Sequence, residues 1–120
     1  MSIKINPSFY SELLATRPFI VKAAQKIYDN WDQSDDELSG GICDDIEEEI
    51  SSIIMDKTSA DETILGGQDG DDHAWTIAKF RKETYGINIP ANVYEIGAGY
   101  SWKKRENVKF TVDDIEIFKL

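Results

Sequence analysis

The chain has 120 residues, with 13 lysines and arginines against 23 aspartates and glutamates, a formal charge of −10. That length suits one domain with one core, and the negative balance repels a nucleic-acid backbone, so no direct nucleic-acid contact is expected. No apolar run approaches the roughly 20 residues that span a bilayer; the Met1-Ser2-Ile3-Lys4 start lacks a signal-peptide apolar stretch, and a lone cysteine makes no intramolecular disulfide, so a cytoplasmic location without membrane contact is the expectation.

Asn6-Pro7 forms a cap-plus-first-position signature, after which Phe9, Tyr10, Leu13 and Leu14 recur at helical spacing. Pro18 restarts the pattern, and Ile20, Ala24, Ile27, Tyr28 and Trp31 predict a second helix. The carboxylate-rich segment Asp32 to Ser39 reads as an exposed connection. A third helix is predicted from Ile42 to Asp56, with Ile46, Ile50, Ile53 and Ile54 on its buried face. Cys43 lies three residues before Ile46 and shares that face.

Beyond Thr58 the texture changes. A short strand at Thr63 to Leu65 precedes a turn-rich loop to Asp72. An antiparallel meander then follows over His73 to Phe80, Tyr85 to Ile89, Val93 to Ile96, Tyr100 to Lys104 and Ile115 to Lys119, punctuated by Gly86, Pro90, Asn92, Gly97 and Gly99. Helices over about 1–57 and strands over about 62–120 predict an α+β fold, N-terminal helices packed on a C-terminal antiparallel sheet.

Cys43 and His73 are the sole cysteine and histidine. A thiol acts as a nucleophile only as a thiolate, which needs a base or an electropositive setting. A helix N-terminus supplies part of that field. The preceding Gly40 and Gly41 let the backbone approach a substrate carbonyl, and the Cys43 amide can donate to a developing oxyanion. His73 would be the base, oriented by a third group. A turn near Phe80 and Arg81 would pair His73 to Ala78 with Glu83 to Asn88, setting the Asn88 carboxamide opposite His73. Asp72 is adjacent in sequence but points to the other face.

Gly41-Ile42-Cys43 running into Ile46 and Ile50, then Asp72-His73-Ala74-Trp75, then Ile87-Asn88-Ile89-Pro90, resembles the Cys, His, Asn/Asp order of the papain-like cysteine hydrolase superfamily, which includes NlpC/P60 and transglutaminase-like enzymes. The resemblance covers about residues 40–90. It implies a papain-like core, with Cys43 as nucleophile, His73 as base, Asn88 as orienting residue, Gly41 and the Cys43 amide at the oxyanion position, and Trp75 and Gln68 as substrate contacts. The chain departs from the pattern where an oxyanion glutamine would precede the cysteine, a place held here by Asp35 to Glu37. The helix start also carries Asp44, Asp45, Glu47, Glu48 and Glu49, whose field opposes a thiolate.

Other chemistries find little support. Asp69, Asp71 and Asp72 lack the twelve-residue loop ending in glutamate that calcium requires, and one histidine with one cysteine leaves a structural zinc site short of ligands. No metal or other cofactor is expected. Lys103, Lys104, Arg105 and Lys109 read as a solvated strand edge or loop, and Tyr94, Tyr100 and Trp102 as core and sheet surface. Two functions remain. One is a small thiol hydrolase acting by acyl transfer on a peptide or amide substrate. The other is an acidic non-catalytic binding or inhibitor protein, a polyanion mimic of phage or immunity type, meeting a basic protein partner with Cys43 structural.

Overall fold

The computed structural model describes residues 8–31, 41–66, 73–96, 99 and 102–120. Two N-terminal helices pack on a four-stranded antiparallel sheet, the α+β arrangement expected from the order of helical and strand patterns. No helix among the described residues is long and apolar enough to cross a membrane.

Helix α1 spans Phe9–Asn30 as one continuous element rather than two. Its cap is Ser8, whose hydroxyl accepts from the Ser11 amide at 3.1 Å. The expected Asn6-Pro7 cap lies outside the described residues. Pro18 sits inside the helix, where its missing amide should leave the Leu14 carbonyl without a donor. Arg17 answers this: its Nε donates to the Leu14 carbonyl at 3.1 Å. The local substitute lets the buried row Phe9, Leu13, Thr16, Ile20, Ala24 and Tyr28 run unbroken along one face.

Helix α2 spans Gly41–Lys57 and buries Ile42, Cys43, Ile46, Ile50 and Ile54. It runs antiparallel to α1, since Glu12 near the start of α1 accepts from both the amide and the hydroxyl of Ser59, just past the end of α2. The segment Asp32 to Ser39, read as an exposed connection, lies outside the described residues, as do residues 67–72 of the stretch read as a turn-rich loop.

The strands are β1 (Glu62–Leu65), β2 (His73–Phe80), β3 (Glu83–Pro90), β4 (Tyr94–Ile96), β5 (Trp102–Lys104) and β6 (Glu116–Lys119). They do not form the single meander predicted. The sheet order is β1-β2-β3-β6, while β4 and β5 pair only with each other as a separate two-stranded ribbon. The chain between β5 and β6 returns along α1. Gln25 donates to the Val108 carbonyl and accepts from the Phe110 amide, and Tyr28 donates to the Arg105 carbonyl. Those anchors carry β6 back beside β3.

The pleat divides the sheet into two faces. Ala74, Thr76 and Ala78 of β2, with Tyr85, Ile87 and Ile89 of β3, face the helices and are buried. The alanines leave room for α2 to approach. On the other face Trp75 stacks on Phe118 with ring centroids 5.1 Å apart. Gly86 lies beneath both, so close that a Cβ there would stand 2.6 Å from the Trp75 ring and 2.9 Å from Phe118.

The hairpin joining β2 and β3 turns at Arg81 and Lys82. Arg81 adopts φ 57, a left-handed conformation uncommon for a side-chain-bearing residue. The Asp61 carboxylate accepts its amide at 2.7 Å and its guanidinium lies 4.9 Å over the Phe80 ring. The turn is thus centred one residue later than expected, and each one-residue move of a hairpin's centre displaces the pairing by two. His73 stands opposite Pro90, and Asn88 opposite Trp75.

Candidate functional site

Cys43 occupies the first turns of α2 on the stripe shared with Ile46 and Ile50, and is 3 % exposed. The next residue on that stripe is Glu47, itself a buried carboxylate. Its Oε2 accepts from the Trp75 amide at 2.7 Å. The neighbouring strand β1 ends at Leu65, and the Gly66 amide takes the Trp75 carbonyl at 3.0 Å as the last rung of that ladder. Glu47 supplies the acceptor that the edge of β2 would otherwise lack. Burial raises the Glu47 carboxyl above the ordinary carboxylate range; the Trp75 amide pulls it back, and the charge and hydrogen bond of Asp44 push it up again.

The same bond sets the thiol-bearing turn of α2 at the end of the seam where β2 begins, so Cys43 and His73 belong to one end of the fold. Their directions differ. Alternation along β2 groups His73 with Trp75 and Ile77 on the face away from the helices, whereas Cys43 lies in the core between helices and sheet. Asn88, on the same sheet face as His73, is diagonal to it rather than opposite, and its Nδ2 donates to Glu116 of β6 at 3.4 Å. The pairing expected to aim a carboxamide at the imidazole is therefore replaced by one that aims it at a carboxylate. Trp75 is buried beneath Phe118. Gly41 opens α2, while Gly40 and Gln68 lie outside the described residues.

Among the described residues no group of three or more histidine, cysteine, aspartate and glutamate side chains could hold a metal ion; Asp69, Asp71 and Asp72 lie outside them. Within the basic cluster, Lys104 closes the end of α1. Its Nζ donates to the Tyr28 and Trp31 carbonyls, both at 3.0 Å, where a cation meets the negative end of the helix dipole. Lys103 pairs with Glu95 across the ribbon at 3.4 Å.

The carboxylates read in the sequence as a field at the start of the helix divide in the structure, Glu47 being buried and the other four exposed. The solvent side of α2 presents Asp44, Asp45, Glu48 and Glu49, all exposed. Among the described residues none of the four lies within ion-pair distance of a basic side chain. Asp45 and Glu49 also line a cleft of about 560 Å³ with Ala23, Lys26, Ile27, Asn30 and Trp31 from the end of α1 and its cap. The signal was the i, i+4 repeat of carboxylates, which describes a ridge as well as a dipole-stabilised helix start. No family model, curated protein or solved structure matches this chain.

Proposed function

We propose that the chain is an acidic, non-catalytic binding protein that sets the carboxylate ridge of α2 against a basic surface of a protein partner. The observation that carries this reading is the ridge itself. Asp44 with Glu48 and Asp45 with Glu49 are like-charge pairs at i, i+4, each costing a few tenths of a kcal/mol, and no described cation lies within ion-pair distance of them. A basic partner would relieve that repulsion on docking, speed encounter through the net charge of −10 and make affinity fall with salt. The burial of Cys43 and the direction of His73 favour a structural thiol over a nucleophile.

A small thiol hydrolase using Cys43, His73 and Asn88 is the second reading, favoured by the Glu47–Trp75 bond, which brings the thiol's turn to the His73 end of β2. Two measurements separate them. Iodoacetamide labelling of the folded protein should be slow and become complete only after denaturation. Affinity for a captured and identified basic partner should fall steeply with salt, collapse in the variant carrying Asp44→Asn, Asp45→Asn, Glu48→Gln and Glu49→Gln, and be unchanged by Cys43→Ala. Rapid labelling in the fold, with turnover of an activated ester abolished by Cys43→Ala, would sink the binding-protein reading.

A further inference from the structure

We propose that the sheet face turned away from the helices is a dimer interface, and that its occupant is a second copy of this chain. Side chains on the solvated face of an antiparallel sheet are ordinarily polar. Here one row breaks that rule across all four strands: Ile64 of β1, Ile77 of β2, Gly86 of β3 and Phe118 of β6 stand in register on the outward face. Ile64 is 41 % exposed and Phe118 38 %. Trp75, the next outward position along β2, stacks on Phe118 over Gly86. The row therefore ends in an aromatic platform on the β6 side and in branched aliphatic side chains on the β1 side.

The two halves fit each other. Sheets pack face to face about 10 Å apart with their strands roughly aligned. A two-fold axis parallel to the strands, midway between β2 and β3, sets Ile64 over Phe118 of the second copy and Ile77 over the ring pair that covers Gly86 there. The same patch serves both copies, as a closed dimer requires. Among the described residues the acidic and basic side chains of this face are Glu62, Lys79 and Glu116. Glu62 and Lys79 pair with each other at 3.6 Å, and the axis opposes Lys79 to Thr84 and Glu116 to the uncharged end of β1 at Gly66, so no like charges meet.

The net charge does not prevent this approach. The acidic ridge lies on the solvent side of α2, which packs on the opposite face of the sheet, so the two ridges are separated by four stacked layers at a spacing of about 10 Å. That is well beyond the Debye length of about 8 Å at physiological salt. Area sets the strength. With strands about 4.8 Å apart and residues about 3.3 Å apart, the four strands have a footprint of roughly 400 Å² per copy before the relief of the side chains is added. Two copies together come close to the roughly 1,000 Å² of the smallest specific interfaces, the size of a reversible dimer and not of an obligate one.

The test is sedimentation equilibrium on the full chain between about 10 µM and 1 mM. The apparent mass should rise from 13.6 kDa toward twice that value. Added salt should strengthen the association by screening the remaining repulsion, the opposite sign to binding through the ridge. Ile64→Lys and Phe118→Glu, both at exposed positions on edge strands, should each weaken it about tenfold. Mixed in equal amounts, the two variants should associate again, because the axis brings the introduced ammonium against the introduced carboxylate. Ile77→Thr, which keeps a β-branched side chain on the strand, should also weaken association and gives the same reading if a charge is not tolerated. A wild type that stays a single chain throughout would overturn the dimer and leave the face to a different occupant. Association that none of the three substitutions changes would overturn the choice of face, and variants that weaken singly without recovering on mixing would overturn the axis. Each of these results leaves the acidic-ridge reading standing, since that reading is tested by the salt-sensitive capture of a basic partner.

Discussion

The Glu47 carboxylate and the Trp75 amide, 2.7 Å apart, complete the edge of the central sheet with a helix side chain. The bond locks the N-terminal half of α2 onto β2 at the point where β1 gives out, and it decides which end of the seam holds Cys43. Both partners are buried, so the consequence of losing the acceptor is a desolvated amide with nothing to bond.

Replacing Glu47 by alanine should therefore destabilise the fold by about 2 kcal/mol, and Glu47→Gln, which keeps an acceptor oxygen, by clearly less. Urea unfolding followed by far-UV circular dichroism would measure both. Equal losses in the two variants would mean that the side chain's packing, and not its oxygen, is what the strand edge needs.

The pH dependence has a definite sign. Because burial raises the folded-state pKa of Glu47, the folded chain holds that proton more tightly than the unfolded chain does. The resulting contribution is fully present below the unfolded value and is lost as pH rises through the folded one. Glu47→Gln cannot titrate. Its stability relative to the wild type should consequently improve as pH rises from the acidic range through the raised carboxyl value, when both are unfolded in urea at a series of pH values. A difference that stays constant with pH would contradict the assignment.

Arg17 and Pro18 should behave as a coupled pair. Arg17→Ala removes the donor that replaces proline's missing amide and should cost about 1 kcal/mol, whereas the same change in a Pro18→Ala background, where a backbone donor returns to Leu14, should cost much less. A double-mutant cycle measured by thermal unfolding reports the coupling directly. Additive effects would show that the Arg17 bond to Leu14 contributes nothing to the continuity of α1.

Gly86→Ala should cost about 1–3 kcal/mol, the range for overpacking a filled site, because the added methyl meets the Trp75 ring at 2.6 Å and Phe118 at 2.9 Å. The near-UV signal of the tryptophans should change with it. Phe118→Leu, which replaces one of the two rings with a smaller aliphatic side chain, should recover part of the loss in the double variant; no recovery would place the strain elsewhere.

The α+β order, the span of β2 and the inward face of α2 with Cys43 on it were all legible in the sequence. They depend on periodicity, and a period of 3.6 or 2 is carried by neighbours along one chain. Pro18 shows the limit of that reasoning: as punctuation it signals a break, yet one adjacent arginine supplies the donor and the helix continues. The His73–Asn88 relationship shows a different limit. Whether the hairpin centres at Phe80 and Arg81 or at Arg81 and Lys82 depends on Asp61, which holds Arg81 in its left-handed conformation from outside the hairpin.

By itself, then, the sequence determined which stretches are helix and strand, which faces are apolar, and that the chain is strongly acidic. Only the tertiary structure decided which residues meet. The length of β1 made the Trp75 amide need an acceptor, the packing of α2 delivered Glu47 to it, and the approach of the two helices set Asp45 and Glu49 in the lining of a cleft with residues of α1. The reason is that hydrogen-bond partners across a sheet edge and the neighbours of an exposed charge are set by contacts between distant segments, whose geometry no local pattern encodes.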